Sequence, residues 1–213
     1  MIYVIIALLW TGYCALHSYL ISVRFTRLIS RTLKDYYAFY RLFYVVLSLV
    51  LLVPLIAYTD RAEGADIISY GTILSIVRYA LLSGALLLFL WAFFMDYDPL
   101  SFFGIRQLLG FRKTEDRGES GGIKNRGLLG VIRHPMYFTL IIYLWCTVFT
   151  VIDIIVTVIL TVYIVIGTVL EEKKLVLEFG DAYRAYQREV PMLIPFATTK
   201  GRQSAPPARN RRT

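Results

Sequence analysis

From Met136 to Leu170 the chain runs for about 35 residues with one charged side chain, Asp153, and charged pairs close both ends: Arg133-His134 ahead of Pro135, and Glu171-Glu172 behind Leu170. An apolar run of this length belongs in lipid, where every backbone N–H and C=O must find its partner within the protein. Hydrophobicity that is continuous rather than alternating selects helix over strand. As one helix the run would be about 50 Å long, far beyond a hydrocarbon core of ~30 Å. The pattern therefore predicts a tight helical hairpin that turns near Ile152-Asp153, with arms of about 25 Å. Antiparallel neighbours pack roughly 8–10 Å apart, which puts His134 and Glu171 about 10 Å from each other at one membrane face. Ionisable groups at such a place are costly and by default mark a working site.

The rest of the chain fits the same class. It is 57% hydrophobic and 15% aromatic, with a mean hydropathy of +0.60, against about 45–50% apolar for a soluble domain. The expectation is an all-α integral membrane protein with about five spans, near 2–22, 37–58, 72–95, 136–152 and 154–170, the second carrying Pro54 near its end. Met1 to Ser22 has no basic n-region and no small-residue cleavage site, so it reads as a retained helix. Positive charge alternates between connections. Arg24, Arg27, Arg31 and Lys34 follow the first span, the stretch from Asp96 through Arg133 carries seven Lys or Arg, and nine follow Leu170, whereas residues 59–71 carry Arg61 and three acids. The positive-inside rule then puts the N-terminus outside and the C-terminus in the cytoplasm. It also accounts for the net charge of +8 without nucleic acid as a partner. Cys14 and Cys146 fall inside apolar runs and read as small buried hydrophobes. Two histidines with no H-x-x-H or C-x-x-C spacing predict no metal site. A single domain over 1–196, with its core region at 127–195, and a disordered basic tail at 197–213 complete the expected organisation; the tail can meet anionic lipid.

Proline at 135 suits the first turn of a helix, where its missing N–H has no intrahelical partner in any case. Arg133 and His134 then project from a helix N-terminus, which favours an anion, and the glutamates close the other arm. Adjacent helical residues diverge by about 100°, so only one glutamate points squarely into the hairpin. An anion-binding end beside a carboxylate suits a zwitterion such as an amino-acid headgroup. Beyond the hairpin, Phe179, Tyr183, Tyr186 and Val190 recur at helical spacing. Gly180 precedes that stretch and Pro191 stops it, so this short helix is expected to fold back over the hairpin mouth. The glycines between Gly118 and Gly130 match no dinucleotide or phosphate-loop fingerprint; they supply flexibility and close approach to a ligand. Two further groups gather at the same face: His17-Ser18 with Tyr40-Arg41, and Asp96-Tyr97-Asp98 with Arg106.

The segments Arg133-His134-Pro135-x-Tyr137, Glu171-Glu172, Phe179-Gly180-x-x-Tyr183-x-x-Tyr186 and Val190-Pro191…Pro195 resemble the membrane methyltransferases, a superfamily that includes isoprenylcysteine carboxyl methyltransferase and the phospholipid N-methyltransferases. The likeness covers roughly Gly127 to Pro195; where the family motif usually has a glycine two residues after the tyrosine, this chain has Thr139. Leu16-His17-Ser18, Tyr40-Arg41 and Asp98-Pro-Leu-Ser-Phe-Phe-Gly-Ile-Arg-Gln107 resemble its methanethiol S-methyltransferase branch, and the His-Ser pair is similar to one in the nitrite-reductase-associated membrane proteins. The resemblance implies an S-adenosylmethionine (SAM) site at the cytoplasmic mouth of the hairpin. It implies cofactor contacts from Gly127, His134, Pro135 and Tyr137, an ammonium partner in Glu171 or Glu172, and an adenosine wall in Tyr183 or Tyr186. Arg133, Arg106 and His17 are the candidates for favouring or generating an anionic nucleophile. The acceptor implied is a small thiol of the methanethiol kind or another lipophilic nucleophile arriving from the bilayer. A prenylcysteine carboxylate or a lipid amine is the alternative acceptor, and a non-enzymatic transport or assembly factor the alternative of another class.

Overall fold

A computed structural model describes residues 1–96, Phe103, Ile105 and 127–197. Its elements are helical: α1 (Ile2–Ile21), α2 (Val23–Leu33), α3 (Tyr40–Asp60), α4 (Thr72–Trp91), α5 (Pro135–Cys146), α6 (Val151–Phe179) and α7 (Asp181–Glu189), with 3-10 turns at Lys34–Phe39 and Gly127–Gly130 and a π-helical turn at Ala92–Asp96. Four stretches are long and apolar enough to cross a membrane: Ile2–Ile21, Tyr36–Asp60, Thr72–Met95 and Val151–Phe179. The chain is thus a multi-pass, all-α protein, and the expected fifth span, 136–152, is the shorter apolar helix Pro135–Cys146.

The buried residues are few because lipid covers the apolar exterior. Ile6 and Trp10 of α1 meet Ile152 of α6 in one core cluster, flanked by Leu52 and Leu55 of α3. Level with these, Trp10 Nε1 donates to Thr59 Oγ1 at 3.0 Å, and at the far end of α1 the Ser18 hydroxyl donates to Tyr163 Oη at 3.4 Å. Residue numbers rise together along both helices, so α1 runs parallel to α6. α5 returns antiparallel to α6, with Trp145 Nε1 donating to Thr161 Oγ1 at one end and the Tyr137 hydroxyl to Glu171 at the other, and it packs along α4.

The hairpin turns at residues 147–150, about five residues earlier than its single charge suggests. Asp153 does not mark the turn; it caps the helix that follows. Its Oδ2 accepts from the backbone N–H groups of Phe149 and Thr150, at 2.9 and 2.8 Å, while Thr150 Oγ1 accepts from Asp153 N at 3.2 Å. This reciprocal capping box satisfies donors that a helix start in lipid leaves without partners. The arms are correspondingly unequal. α5 has 12 residues and α6 has 29, or about 18 and 43 Å. α6 does not stop at Glu171-Glu172. Glutamate and lysine are good helix formers, and the helix continues to Gly180, whose φ of +58° ends it.

The α3–α4 connection closes over the turn. Val151 N donates to Ala65 O, and the amides of Ile67 and Ile68 donate to Phe149 O. A side chain at Gly64 would meet Thr150 Cβ at 3.1 Å and Ile152 at 3.2 Å, a tight fit that its neighbours would have to yield to. Arg78, an arginine within α4, donates from Nε to Cys146 O at 2.6 Å and lies 4.4 Å from the Phe149 ring centroid. It thereby satisfies a carbonyl at the C-terminal end of α5, a fitting place for a cation.

Replacing Asp153 with alanine removes the acceptor shared by the Phe149 and Thr150 amides. The expected cost is about 1 kcal/mol, seen as a fall of roughly 2–4 °C in the melting temperature of the detergent-solubilised protein by circular dichroism. An unchanged melting temperature would refute the capping role.

Candidate functional site

The site forms where three chain segments meet. Pro135 opens α5 as its first residue. Ahead of it, Arg133 N donates to Pro191 O at 2.9 Å and His134 N to Met192 O at 3.2 Å. The segment before α5 is therefore laced to the segment after α7. Gly180 makes this possible by breaking α6 from α7 at positive φ, a conformation that costs glycine little. α7 then folds back, and Tyr183, Tyr186 and Val190 bury against Leu175, Val176 and Phe179. The Tyr186 hydroxyl donates to Leu129 O at 2.5 Å, tying α7 to the 3-10 turn that begins at Gly127, which itself has φ +63°.

Arg133 sits at the centre. Its Nε and Nη2 donate to Glu172 Oε1 and Oε2 at 2.5 and 3.0 Å, the bidentate arrangement its planar fork favours. Its Nη1 donates to the carbonyls of Gln187, at 2.9 Å, and Val190. Those carbonyls belong to the last turn of α7 and the residue after it, so the guanidinium also caps a helix end that favours positive charge. Gln187 Nε2 donates to Glu172 Oε2 at 2.9 Å, and His134 Nε2 lies 3.2 Å from Oε1. Four nitrogens thus surround one carboxylate, which fills its acceptor positions. The Arg133 and Glu172 side chains are only 7% and 10% exposed, and with so little water the pair must supply the solvation each partner lost.

Glu171 has a different environment. Its Oε2 accepts from the Tyr137 hydroxyl at 2.9 Å and lies 3.8 Å from His134 Nδ1. Its side chain is 40% exposed, and among the described residues its Oε1 accepts no hydrogen bond. His134 and Tyr137 stack with centroids 5.5 Å apart and planes 9° from parallel. The imidazole therefore stands between the two glutamates, much closer to Glu171 than helix spacing alone predicts. Tyr183 is 4% exposed, yet among the described residues its hydroxyl has no hydrogen-bond partner. Burial, reinforced by the charge of Glu172, pushes its phenol above the ordinary range, so it remains a neutral donor. A cavity of about 540 Å³ opens between α6 and α7, lined by Val169, Glu172, Lys173, Val176, Arg184 and Gln187 among others.

Of the residues singled out in the sequence, Arg133, His134, Pro135, Tyr137, Glu171 and Glu172 come together, with Gly127, Tyr183 and Tyr186 behind them. Thr139 is buried and donates its hydroxyl to Met136 O at 2.9 Å, turning back on its own helix. His17 lies elsewhere. Its ring is hydrogen-bonded to Tyr44 and, at 3.2 Å, to Ser48 Oγ, and it packs edge-on to Tyr163. Tyr163 and Glu172 are nine residues apart on α6, about 13 Å along the axis and on opposite faces of the helix. His17 and the His134 group are accordingly two separate clusters. Arg106, Asp98 and most of the stretch to Gln107 lie outside the described residues, as do residues 198–213 of the expected tail. Sequence inspection passes over Gln187. Its one signal is a polar side chain one residue from Tyr186, on a helix that folds back.

The chain is similar in sequence to known proteins. A family model described as "Protein of unknown function (DUF1295)" matches residues 22–190. The methanethiol S-methyltransferase of Pseudomonas deceptionensis is 39% identical over 94 residues, covering 44% of this chain and 36% of that protein. Methanethiol S-methyltransferase 2 of Bradyrhizobium diazoefficiens is 35% identical over 100 residues, 46% of this chain and 38% of that protein. The methanethiol S-methyltransferase of Crocosphaera subtropica is 34% identical over 128 residues, 59% and 49% respectively. The matched region spans less than half the length of each of these relatives. No solved structure matches the chain significantly.

Arg133→Met leaves Glu172 buried without its main partner. Breaking a buried pair in this way costs about 3–5 kcal/mol, and amide exchange across 181–190 should accelerate because α7 loses its clamp. Arg133→Lys keeps the charge but not the bidentate fork and should fall between. Exchange in α7 that matches the wild type in Arg133→Met would contradict the clamp.

Proposed function

The chain belongs to the DUF1295 family, and on that premise we propose that it is a membrane methyltransferase, a single domain over 1–196, that transfers a methyl group from SAM to a small thiol of the methanethiol class. The single observation that carries this reading is the division of labour between the two adjacent glutamates. Glu172 is saturated by Arg133, Gln187 and His134, whereas Glu171 keeps an oxygen open beside a stacked His134–Tyr137 pair. The names of the methanethiol S-methyltransferase relatives supply the reaction class and the acceptor.

The residues present fit the cofactor. A carboxylate with spare acceptor capacity suits its ammonium group. The lone buried hydroxyl of Tyr183 is a donor that a bound polar group would satisfy. When bound, SAM supplies an electrophilic methyl group carried on a sulfonium.

The contribution of the chain itself is positional and electrostatic. Glu171 fixes the headgroup, the His134–Tyr137 pair offers a flat face, and the Arg133–Glu172 pair locks α5, α6 and α7 so that these groups keep their spacing. Holding two reactants in line is worth several kcal/mol, up to roughly 7–11 for well-oriented pairs. A thiol has a pKa near ~8.5, so cations that favour its thiolate raise the fraction able to react. Arg106 is the candidate for that from the sequence. Arg133 acts as a positioning residue, since its donors are engaged. The basic end of the bundle faces the cytoplasm under the positive-inside rule, where a soluble cofactor is available, while a small apolar thiol arrives through the bilayer.

Calorimetry on the detergent-solubilised protein should detect SAM binding. A charge-assisted hydrogen bond is worth about 1.5–3 kcal/mol, so Glu171→Gln should weaken binding by about 10- to 100-fold while leaving the melting temperature nearly unchanged. Absence of SAM binding by the wild type, or unaltered affinity in Glu171→Gln, would overturn the assignment.

A further inference from the structure

The segment between the first two membrane-crossing stretches is a helix rather than the loop that its charge suggests. Ser22 turns the chain sharply with φ −61° and ψ 145°, and its hydroxyl accepts from Phe25 N at 3.3 Å, capping α2. Arg24, Arg27 and Arg31 then recur at 3 and 4 residues, which on a helix places them within about 60° of one another. Phe25, Ile29 and Leu33 lie on the other side, and Leu28 stands beside Arg24 and Arg31. α2 has no buried residue, and Leu28 is 59% exposed. Among the described residues none of the three arginines has an ion-pair partner. The helix packs through its apolar edge: the Phe25 ring lies tilted against Tyr19 with centroids 4.9 Å apart and 6.3 Å from Tyr40, at the adjoining ends of α1 and α3.

We propose that α2 is an anionic-phospholipid docking surface, lying in the membrane interface with the exposed Leu28 beside Arg24, Arg27 and Arg31, the leucine toward the acyl chains and the three arginines on lipid phosphates. Charge complementarity selects this occupant. An apolar stripe beside a stripe of guanidinium groups, at the very end of a membrane-crossing helix, matches the boundary between hydrocarbon and headgroups. Guanidinium pairs with phosphate oxygens in a bidentate fork. The three side chains, spread over about 10 Å of helix, are placed to contact more than one headgroup. This inference does not depend on methyl transfer, because it uses none of the residues of the Glu171 site.

The test uses the full-length protein in phosphatidylcholine vesicles carrying trace spin-labelled phosphatidylglycerol or phosphatidylcholine, and compares the fraction of each lipid immobilised at the protein. Each basic residue near an anionic surface contributes roughly a fivefold preference. The variant R24Q/R27Q/R31Q should therefore lose phosphatidylglycerol preference by one to two orders of magnitude at low ionic strength, and 0.5 M NaCl should shrink the wild-type preference toward that of the variant. A control that removes three charges from the tail, R209Q/R211Q/R212Q, should lose far less. A triple α2 variant with wild-type preference would overturn the proposal, as would a tail control that loses as much, since net charge alone would then explain the effect. Wild-type SAM affinity in the α2 variant would verify that its fold is intact.

Discussion

The ion pair between Arg133 and Glu172 is the interaction on which the functional end of the molecule depends. Three elements contribute to it. Arg133 precedes α5, Glu172 lies far along α6, and the carbonyls of Gln187 and Val190 belong to the end of α7. A buried guanidinium needs a partner for each direction of its fork. That requirement joins the apolar packing of α7 on α6 in bringing these segments together. The backbone pairing of Arg133 and His134 with Pro191 and Met192 follows from the same closure. The short α5 arm, about 18 Å long, and the overlong α6 are compatible only because the charged node lies beyond the apolar part of the hairpin.

That node also separates structure from chemistry in two neighbouring residues. Glutamates adjacent on a helix point about 100° apart, and here one looks into the clamp while the other looks toward His134, Tyr137 and solvent. A carboxylate filled by four donors has no capacity left for a ligand, whereas one held by a single hydroxyl does. The clamp therefore fixes the open carboxylate without consuming it, an arrangement suited to binding a charged headgroup with little reorganisation.

Much of this was legible in the chain. Charges at both ends of an apolar run located the hairpin mouth, proline located the start of α5, and helical spacing located the buried face of α7. What the chain concealed were the outcomes of competitions between partners. Asp153 looks like a charge at a turn, but an acid three residues into a helix satisfies exposed N–H groups better than it marks a reversal. Arg133 and Glu172 looked like two halves of a zwitterion site, yet once they are close in low dielectric each is the best partner available to the other. Arg24, Arg27 and Arg31 blend into a basic connection unless their spacing of 3 and 4 is given weight. Arg78 is invisible to pattern, since its partner is a backbone carbonyl, Cys146 O, set by tertiary packing. The separation of His17 from His134 likewise follows from counting turns along α6, which requires knowing that α6 is continuous past Leu170.

The central claim is that the Glu171 end of this bundle performs methyl transfer from SAM to a small thiol. Incubating the purified protein in lipid vesicles with methyl-labelled SAM and methanethiol, and following the label by gas chromatography and mass spectrometry, tests it most directly. The account predicts labelled dimethyl sulfide in the wild type and its loss in Glu171→Gln. Label that stays in SAM across methanethiol and larger thiols, from protein that binds SAM normally, would contradict it.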